Sequence, residues 1–481
     1  MTFRKEFIFW WCSWANEIQI PVETGQNNLK TFDKVSNSAN IKHTNCFYCN
    51  NPFTEELWCK ECDPRRMIEG WTSGNNDIDK FIKDTIYKGR KYTFDRFLEW
   101  VPFDRFKDIN QIGVGGFAKV YSATWIDGIA EYNFDWKKKE PQPIKVALKR
   151  LNGSENMSAE YLNELKIHWN CYKYASATSL EFYGMTKDPK TEEFMMILQF
   201  VDEGNLRSFL SHNFNNILWK DKIKYLDWLI FGLKALHELG YFHKDFHSGN
   251  ILLRVSEHQT SISDFGLSGP SNKQKLDARI CGVLPYIAPE VLNGESYTLS
   301  SDIYSFGVIM TELSSGKPPF YDKKHDLSLV LAICNGLRPE FGKGTPEIYK
   351  KLAYKCMNAN SNQRPTASEL KDVIYFWFRS FNYFVKYEEK EKFGYKGKEI
   401  KAMFEEADKE IPNISTSYEK SPDAIYTSRL FTFNNLTKPI NSSLITSYLD
   451  DEKNNKDGQD SQLFDLEVTS SLQLKDDTSD D

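Results

Sequence analysis

Hydrophobic positions change their period part-way along the chain. Between residues 106 and 201 they fall in short runs broken by glycine and polar residues, the length of strands. Phe106–Ile112 and Val120–Ile126 flank a Gly-rich turn, and Ile144–Leu151 and Phe194–Val201 follow. Between them, Ala159–Trp169 sets Leu162, Leu165 and Trp169 on one face at helical spacing. After Gly204 helical spacing takes over. Trp219–Leu239, Ser300–Leu313, Leu327–Cys334 and Ile348–Met357 all read as amphipathic helices. The pattern predicts an α+β body at 106–378: a small antiparallel sheet lobe with one helix, then a larger helical lobe.

The flanks differ from this body. Residues 1–45 form a mixed N-terminal segment, and 46–62 concentrate four of the nine cysteines. Residues 63–105 carry Ile78, Phe81, Ile82, Thr85 and Ile86 at helical spacing, then Phe94, Phe97 and Trp100, and read as a helical linker. Residues 379–410 are Lys/Glu-rich and predicted helical, and 411–481 read as a disordered acidic tail. Across the 481 residues, 40% are hydrophobic and 27% charged, which excludes a wholly disordered chain. The net charge of −6 argues against a nucleic-acid binder. It is concentrated at 450–481, where eleven acidic residues face three lysines. No apolar run reaches the roughly 18–20 residues of a membrane span. The aromatic stretch Phe7–Ala15 lacks a small-x-small cleavage site and reads as a buried or partner-binding segment rather than a signal peptide. The expected location is cytoplasmic, with the nucleus as alternative, and so reducing.

Four motifs carry chemistry. In Ile112-Gly-Val-Gly-Gly-Phe-Ala-Lys-Val120, glycines let backbone N–H groups approach phosphate oxygens with no side chain between. Lys149 ends Val146-Ala-Leu-Lys149 on the strand that would pair with that hairpin. Its ammonium can hold α/β-phosphates if a carboxylate anchors it; Glu164 is the first candidate and Glu160, one turn earlier, the second. His243-Lys-Asp-Phe-His-Ser-Gly-Asn250 and Asp264-Phe-Gly266 complete the set. In-line phosphoryl transfer needs a carboxylate near the attacking hydroxyl and hard oxygen ligands for Mg²⁺. Asp245 can be the first; Asn250 and Asp264 can be the second.

In this order the four motifs resemble the signature set of eukaryotic protein kinases. The resemblance continues through Ala288-Pro-Glu290, Asp302-Ile-Tyr-Ser-Phe-Gly307 and Arg364-Pro365, and covers Phe106 to about Phe378. Tyr304-Ser-Phe-Gly-Val-Ile, Gly316-Lys-Pro-Pro-Phe and Asn362-Gln-Arg-Pro resemble the tyrosine-kinase-like group. His-Ser-Gly-Asn-Ile-Leu and Gly-Val-Leu-Pro-Tyr-Ile-Ala-Pro-Glu resemble the expanded kinase families of root-symbiotic fungi. The resemblance implies a two-lobed ATP- and Mg²⁺-dependent enzyme acting on protein Ser/Thr hydroxyls, with Tyr as a lesser alternative, in signal transduction. A pseudokinase scaffold is the rival reading; Lys149, Glu164, Asp245, Asn250 and Asp264 are all present, and scaffolds typically lack one or more. Carried over, Asp245, Lys149 and Glu164 are catalytic, and Asn250 and Asp264 ligate Mg²⁺. The nucleotide falls to Ile112, Gly113, Val114, Gly115, Gly116, Phe117, Ala118, Lys119 and Val120, with Ala147, Lys149 and the hinge backbone of Gln199 and Val201; Leu198 lies at the back of the adenine pocket. Glu290 and Arg364 should form a buried ion pair. Ala118 replaces the third glycine, and Lys244 replaces the arginine that often grips a phosphorylated activation loop. His247 and Val283 stand where Ser/Thr kinases often carry lysine and threonine. The early activation-segment hydroxyls are Ser268 and Ser271, with Tyr286 near its end.

Cys46-Phe-Tyr-Cys49 and Cys59-Lys-Glu-Cys62 form a CxxC-x9-CxxC array, the spacing of a structural zinc knuckle, with free thiols or redox chemistry as the lesser alternative. It offers a site for a partner and for Zn²⁺. His237 reads as a helix-edge core histidine, and 126–143 as an insertion in a surface hairpin.

Overall fold

The structure, a computed structural model, describes residues 45, 50–52, 71–91, 96–115, 118–129, 142–254, 259–270, 280–381, 385–433 and 436–454. The chain divides into two compact units, Met1–Cys62 and Asp63–Asp481. In the first, the described residues show Asn45 bridging Pro52 antiparallel. The four knuckle cysteines and the Phe7–Ala15 segment lie outside the described residues.

The second unit opens with helix α1, Asn76–Lys91. Asn75 caps it, its Oδ1 accepting from the N–H groups of Asp77 and Ile78. A six-stranded sheet follows, made of β1 (Glu99–Trp100), β2 (Phe106–Val114), β3 (Ala118–Trp125), β4 (Ile144–Leu151), β5 (Phe182–Lys187) and β6 (Phe194–Gln199), in the order β1-β5-β6-β4-β3-β2. All neighbours are antiparallel except β1, which joins β5 in parallel. Helix α2, Ala159–Tyr174, lies between β4 and β5 in sequence.

Residues 63–105 were expected to be a linker, but α1 is built into this lobe. Ile78, Ile82 and Ile86 recur every four residues, so they share one face, and all are buried. They pack in one cluster with Leu165 and Trp169 of α2 and Met185 of β5. Each such side chain contributes roughly 2 kcal/mol on burial. Thr85 clamps the return of the chain, accepting the Leu98 N–H at 3.0 Å and donating to the Ile82 carbonyl at 2.7 Å. The linker reading failed because the complementary surface lies far along the chain.

The larger lobe begins with α3 (Leu206–Asn213) and α4 (Trp219–Glu238), then β7 (Tyr241–Phe242), β8 (Ile251–Arg254), β9 (Gln259–Ile262), β10 (Gly269–Pro270) and β11 (Ile280–Gly282). Helices α5 (Pro289–Leu292), α6 (Leu299–Ser315), α7 (Leu327–Cys334), α8 (Glu347–Cys356) and α9 (Ala367–Ser380) complete the core. From Ser301 to Ser315 α6 is buried throughout. Its Gly307 lets α8 come close: a Cβ there would stand 2.7 Å from Met357 and 2.8 Å from Cys356 side-chain atoms.

The chain does not leave the body at 378. After α10 (Val385–Glu388) and the hairpin of β12 (Glu391–Lys392) and β13 (Tyr395–Lys396), α11 (Gly397–Asp408) sets Phe404 against Trp219 and Trp377, each at 5.5 Å between ring centres. Asp408 caps α4 by accepting the Trp219 N–H at 2.7 Å. Residues 411–454 were expected to be disordered. Instead Ile411, Ile414, Ala424 and Ile445 are buried, β14 (Arg429–Phe431) pairs with β11, and α12 (Ser443–Asn454) brings Tyr448 to 4.8 Å from Tyr354. These apolar anchors are irregularly spaced, and each docks separately, so no period betrays them. Residues 455–481 lie outside the described residues.

Candidate active site

Strand β4 sits between β3 and β6, which places Lys149 opposite Val120 on one side and Met196 on the other. Its ammonium donates to Glu164 Oε1 at 2.5 Å and to Asp264 Oδ1 at 2.8 Å. Glu164 projects from α2, whose start is capped by Ser158 accepting the Tyr161 N–H; Glu164, not Glu160, is the anchor of Lys149. One cation thus serves two carboxylates. Burial works against the charge of Lys149, yet the two carboxylates outweigh it and raise its pKa. Burial also opposes the Asp264 charge, but Lys149 wins and holds that carboxyl at about 2. Glu164, which shares the same lysine, stays raised by burial.

The 243–250 loop is held from below by Asp302 of α6. Asp302 is buried and accepts the backbone N–H of His243 at 2.8 Å and of Lys244 at 3.1 Å, with His237 Nε2 at 3.0 Å from the same carboxylate. Lys244 adopts φ of +73°, a conformation costing about 1–3 kcal/mol in a non-glycine residue, and the Asp302 bonds offset that strain. Asn250 Nδ2 donates to the Asp245 carbonyl at 3.0 Å, which turns its Oδ1 the other way. His247 Nδ1 accepts the Gly249 N–H at 3.0 Å, so a neutral ring carries its proton on Nε2, 3.6 Å from Asp245 Oδ2. The Ser428 hydroxyl, from the segment expected to be disordered, donates to the same Oδ2. Burial disfavours the Asp245 carboxylate, but His247 and Ser428 together leave its pKa below the ordinary aspartate value.

Behind these groups runs a column of rings. Phe182 lies 6.0 Å from His168, His168 meets Phe265 edge-on at 4.6 Å, and Phe265 lies 5.4 Å from His243. Burial, with the nearby Lys149 charge, pushes His168 down to about 3, so the ring is neutral at ordinary pH. Sequence reasoning missed His168; its spacing of four from Glu164 on one helix was the available signal.

Ile112 and Val114 are exposed on the Gly-rich hairpin, and the Gly115 N–H donates to the Ala118 carbonyl at 2.8 Å to close its turn. Gly113 faces Val120 and Val114 faces Lys119; Gly116 and Phe117 lie outside the described residues. Ala147 pairs with Leu198, and the Gln199 N–H donates to the Glu181 carbonyl at 2.9 Å, leading into the half-buried Val201. Arg364 grips both oxygens of Glu290 at 2.6 and 2.7 Å in the helical lobe. Two activation-segment hydroxyls are not open to modification. Ser268 is buried and donates to the His243 carbonyl, and Tyr286 is buried with its hydroxyl donating to Glu312 at 2.5 Å. Ser271 lies outside the described residues. Among the described residues no group of three or more His, Cys, Asp or Glu could hold a metal ion, and no helix is long and apolar enough to cross a membrane.

Residues 106–374 match the family model described as protein tyrosine and serine/threonine kinase. The chain belongs to that protein kinase family. Several relatives carry Ser/Thr kinase names. A probable serine/threonine-protein kinase of Dictyostelium discoideum is 28% identical over 57% of this chain and 15% of its own. A G-type lectin S-receptor-like serine/threonine-protein kinase of Arabidopsis thaliana is 27% identical over 72% of this chain and 40% of its own. A second probable serine/threonine-protein kinase of D. discoideum is 29% identical over 56% and 39%. The chain spans less than half the length of these relatives.

Proposed function

We propose that this kinase transfers the γ-phosphate of ATP to Ser/Thr hydroxyls of proteins in a Mg²⁺-dependent reaction, within the tyrosine-kinase-like group. The observation that carries this reading is the joined set Lys149–Glu164–Asp264 beside Asp245 and Asn250, groups suited to phosphate, metal and acceptor hydroxyl. The residues fit the metal. Asp264 offers carboxylate oxygen and Asn250 a carboxamide oxygen freed by its Nδ2 bond to Asp245, both hard ligands. When bound there, Mg²⁺ neutralises phosphate charge and orients the transferred group.

The chain's own residues do the rest. Lys149, held by Glu164, binds the α/β-phosphates. The Gly113–Ala118 turn presents backbone N–H groups to phosphate oxygens, and Val120 and Ala147 cover the adenine. Because the Gln199 N–H already bonds Glu181, adenine takes the Gln199 carbonyl and the Val201 backbone. Asp245, ionised at neutral pH, accepts or positions the acceptor hydroxyl's proton. The test incubates the full chain with γ-labelled ATP and Mg²⁺ and identifies the labelled residue types. Label on serine or threonine supports the reading; label only on tyrosine, or none, overturns it. Cys46, Cys49, Cys59 and Cys62 are proposed as a structural Zn²⁺ site that recruits a partner. The zinc content of the purified chain tests the metal, with one equivalent lost in Cys46→Ser/Cys49→Ser.

A further inference from the structure

Residues 411–433 and 436–454 form a strap on the larger lobe, anchored at both ends. At the near end Ile411 and Ile414 are buried in the lobe core. At the far end Ile445 is buried too, and Asn441 Oδ1 accepts the Ala359 N–H at 2.8 Å. Between them the chain takes the course of a bound peptide. Arg429–Phe431 add a strand to β11 at the end of the activation segment, in the register Gly282↔Arg429, Cys281↔Leu430 and Ile280↔Phe431.

The residue just before that strand is Ser428, and its hydroxyl donates to Asp245 Oδ2. Gly282 sits at the same point with φ of +144°, a conformation side-chain-bearing residues rarely adopt, and a Cβ there would stand 3.4 Å from Asp245 Oδ1, in contact with the carboxylate that Ser428 reaches. Upstream, the Tyr426 carbonyl accepts from Arg207 at 3.3 Å and its ring lies 4.7 Å under the Arg207 guanidinium. His325 Nδ1 bonds the Ile425 carbonyl at 2.9 Å, and Arg429 donates to the His325 carbonyl at 2.9 Å. The strap is buried at its ends through Ile411, Ile414 and Ile445, and Ala424 adds one buried point between them, while around Ser428 the polar bonds are ones that water can replace.

We propose that Ser428 is an intramolecular phosphoacceptor, modified by this chain's own active site, and that until it is modified the strap closes the site to other protein substrates. The proposal rests on the protein kinase reading above. In the step, Ser428 Oγ attacks the γ-phosphorus of a Mg²⁺-bound nucleoside triphosphate and forms a P–O bond. The bond from that phosphorus to the β,γ-bridging oxygen breaks, its electron pair leaving with the nucleoside diphosphate. The hydroxyl proton passes to Asp245 Oδ2. The product places about −1.5 to −2 charges against an aspartate carboxylate, which repels it. Ser428 then loses its bond to Asp245, the strand at 429–431 peels from β11, and the groove opens.

The experiment uses the full chain, stripped of phosphate and then given Mg²⁺-ATP, with dephosphorylated casein as added acceptor. Mass spectrometry should find phosphate on Ser428. Its rate per molecule should not change over about a hundredfold dilution, because the tethered hydroxyl is present at an effective millimolar concentration. Casein labelling should show a lag that ends as Ser428 is filled. Ser428→Ala should stay closed, with casein labelling about tenfold below the wild-type plateau. Ser428→Ala combined with Phe431→Asp and Phe433→Asp, which removes the ring contacts that hold the strand to the lobe, should label casein without a lag. Steady casein labelling with Ser428 unmodified would overturn the proposal and leave the kinase reading intact. A Ser428 rate that falls on dilution would show transfer between molecules and overturn it also. No label on Ser428 of the wild-type chain, and none on casein with either the wild type or the strand-stripped variant, would overturn both readings.

Discussion

Two of the buried ion clusters among the described residues are built on opposite plans. In the helical lobe Arg364 meets Glu290 through both oxygens, and its other N–H groups reach the Asn358 carbonyl at 2.8 Å and the Ser300 carbonyl at 2.9 Å. Ser301 adds a bond to Glu290 at 3.3 Å. Charge and hydrogen-bonding capacity are both matched, and the Arg364 side chain has no exposure at all. In the cleft, one lysine stands between two carboxylates, and the Asp264 side chain keeps 38% of its surface open to solvent. The first cluster is complete within the fold. The second leaves a surplus negative charge facing outward, which suits a site that must take up a cation with its substrate. Burial of charge alone therefore does not mark a functional site; an unbalanced cluster with a solvent-facing member does.

That contrast breaks most sharply by removing each cation in turn. Lys149→Met should lower kcat for phosphoryl transfer by about a thousandfold or more, since it acts on developing phosphate charge. Its cost in folding stability should be smaller than that of Arg364→Ala, because methionine keeps most of the lysine's volume and one of the two carboxylates it leaves, Asp264, is reached by water. Asp245→Asn should cost about 10²–10⁴-fold in kcat, with little change in melting temperature. Arg364→Ala should do the reverse. It strands Glu290 in the core and should remove about 3–5 kcal/mol of stability, read by urea unfolding. Equal stability losses in Lys149→Met and Arg364→Ala would dissolve the distinction.

A smaller effect separates the cleft by pH. His168 is neutral in the fold, with a pKa near 3 against about 6.5 when unfolded. The unfolded chain binds its proton first as pH falls, so this contribution is complete above about pH 6.5. It then declines toward pH 3 at up to about 1.4 kcal/mol per pH unit. His168→Leu should flatten the acid limb of the stability curve in that window. An unchanged acid limb would place the titration elsewhere.

The chemistry of the site was legible because it depends on residue type at fixed offsets in short segments. Glu164 was separable from Glu160 only as a preference, since both share a helix face. Asp302 was visible as part of a motif, but its task of holding the His243 and Lys244 N–H groups was not, because it depends on a loop that comes fifty-odd residues earlier. The strands β1 and β5 and the strap were illegible for one reason. They are stabilised by partners distant in sequence, Met185 for Trp100 and Ile280 for Phe431, and carry no strong period of their own. Tyr286 and Ser268 looked available as hydroxyls because sequence does not report burial.

Helix α1 bears on where this chain can be cut. A protein beginning at Phe106 would keep every side chain assigned to nucleotide and metal. It would also lay bare Leu165, Trp169 and Met185, the apolar seam that Ile78, Ile82 and Ile86 now cover. The helix that carries Glu164 would lose its splint, and the small lobe would gain a sticky edge that favours self-association. The limits set by motifs enclose the chemistry; the limits set by solvent enclose a body that can stand alone, and here the second begins near Trp71.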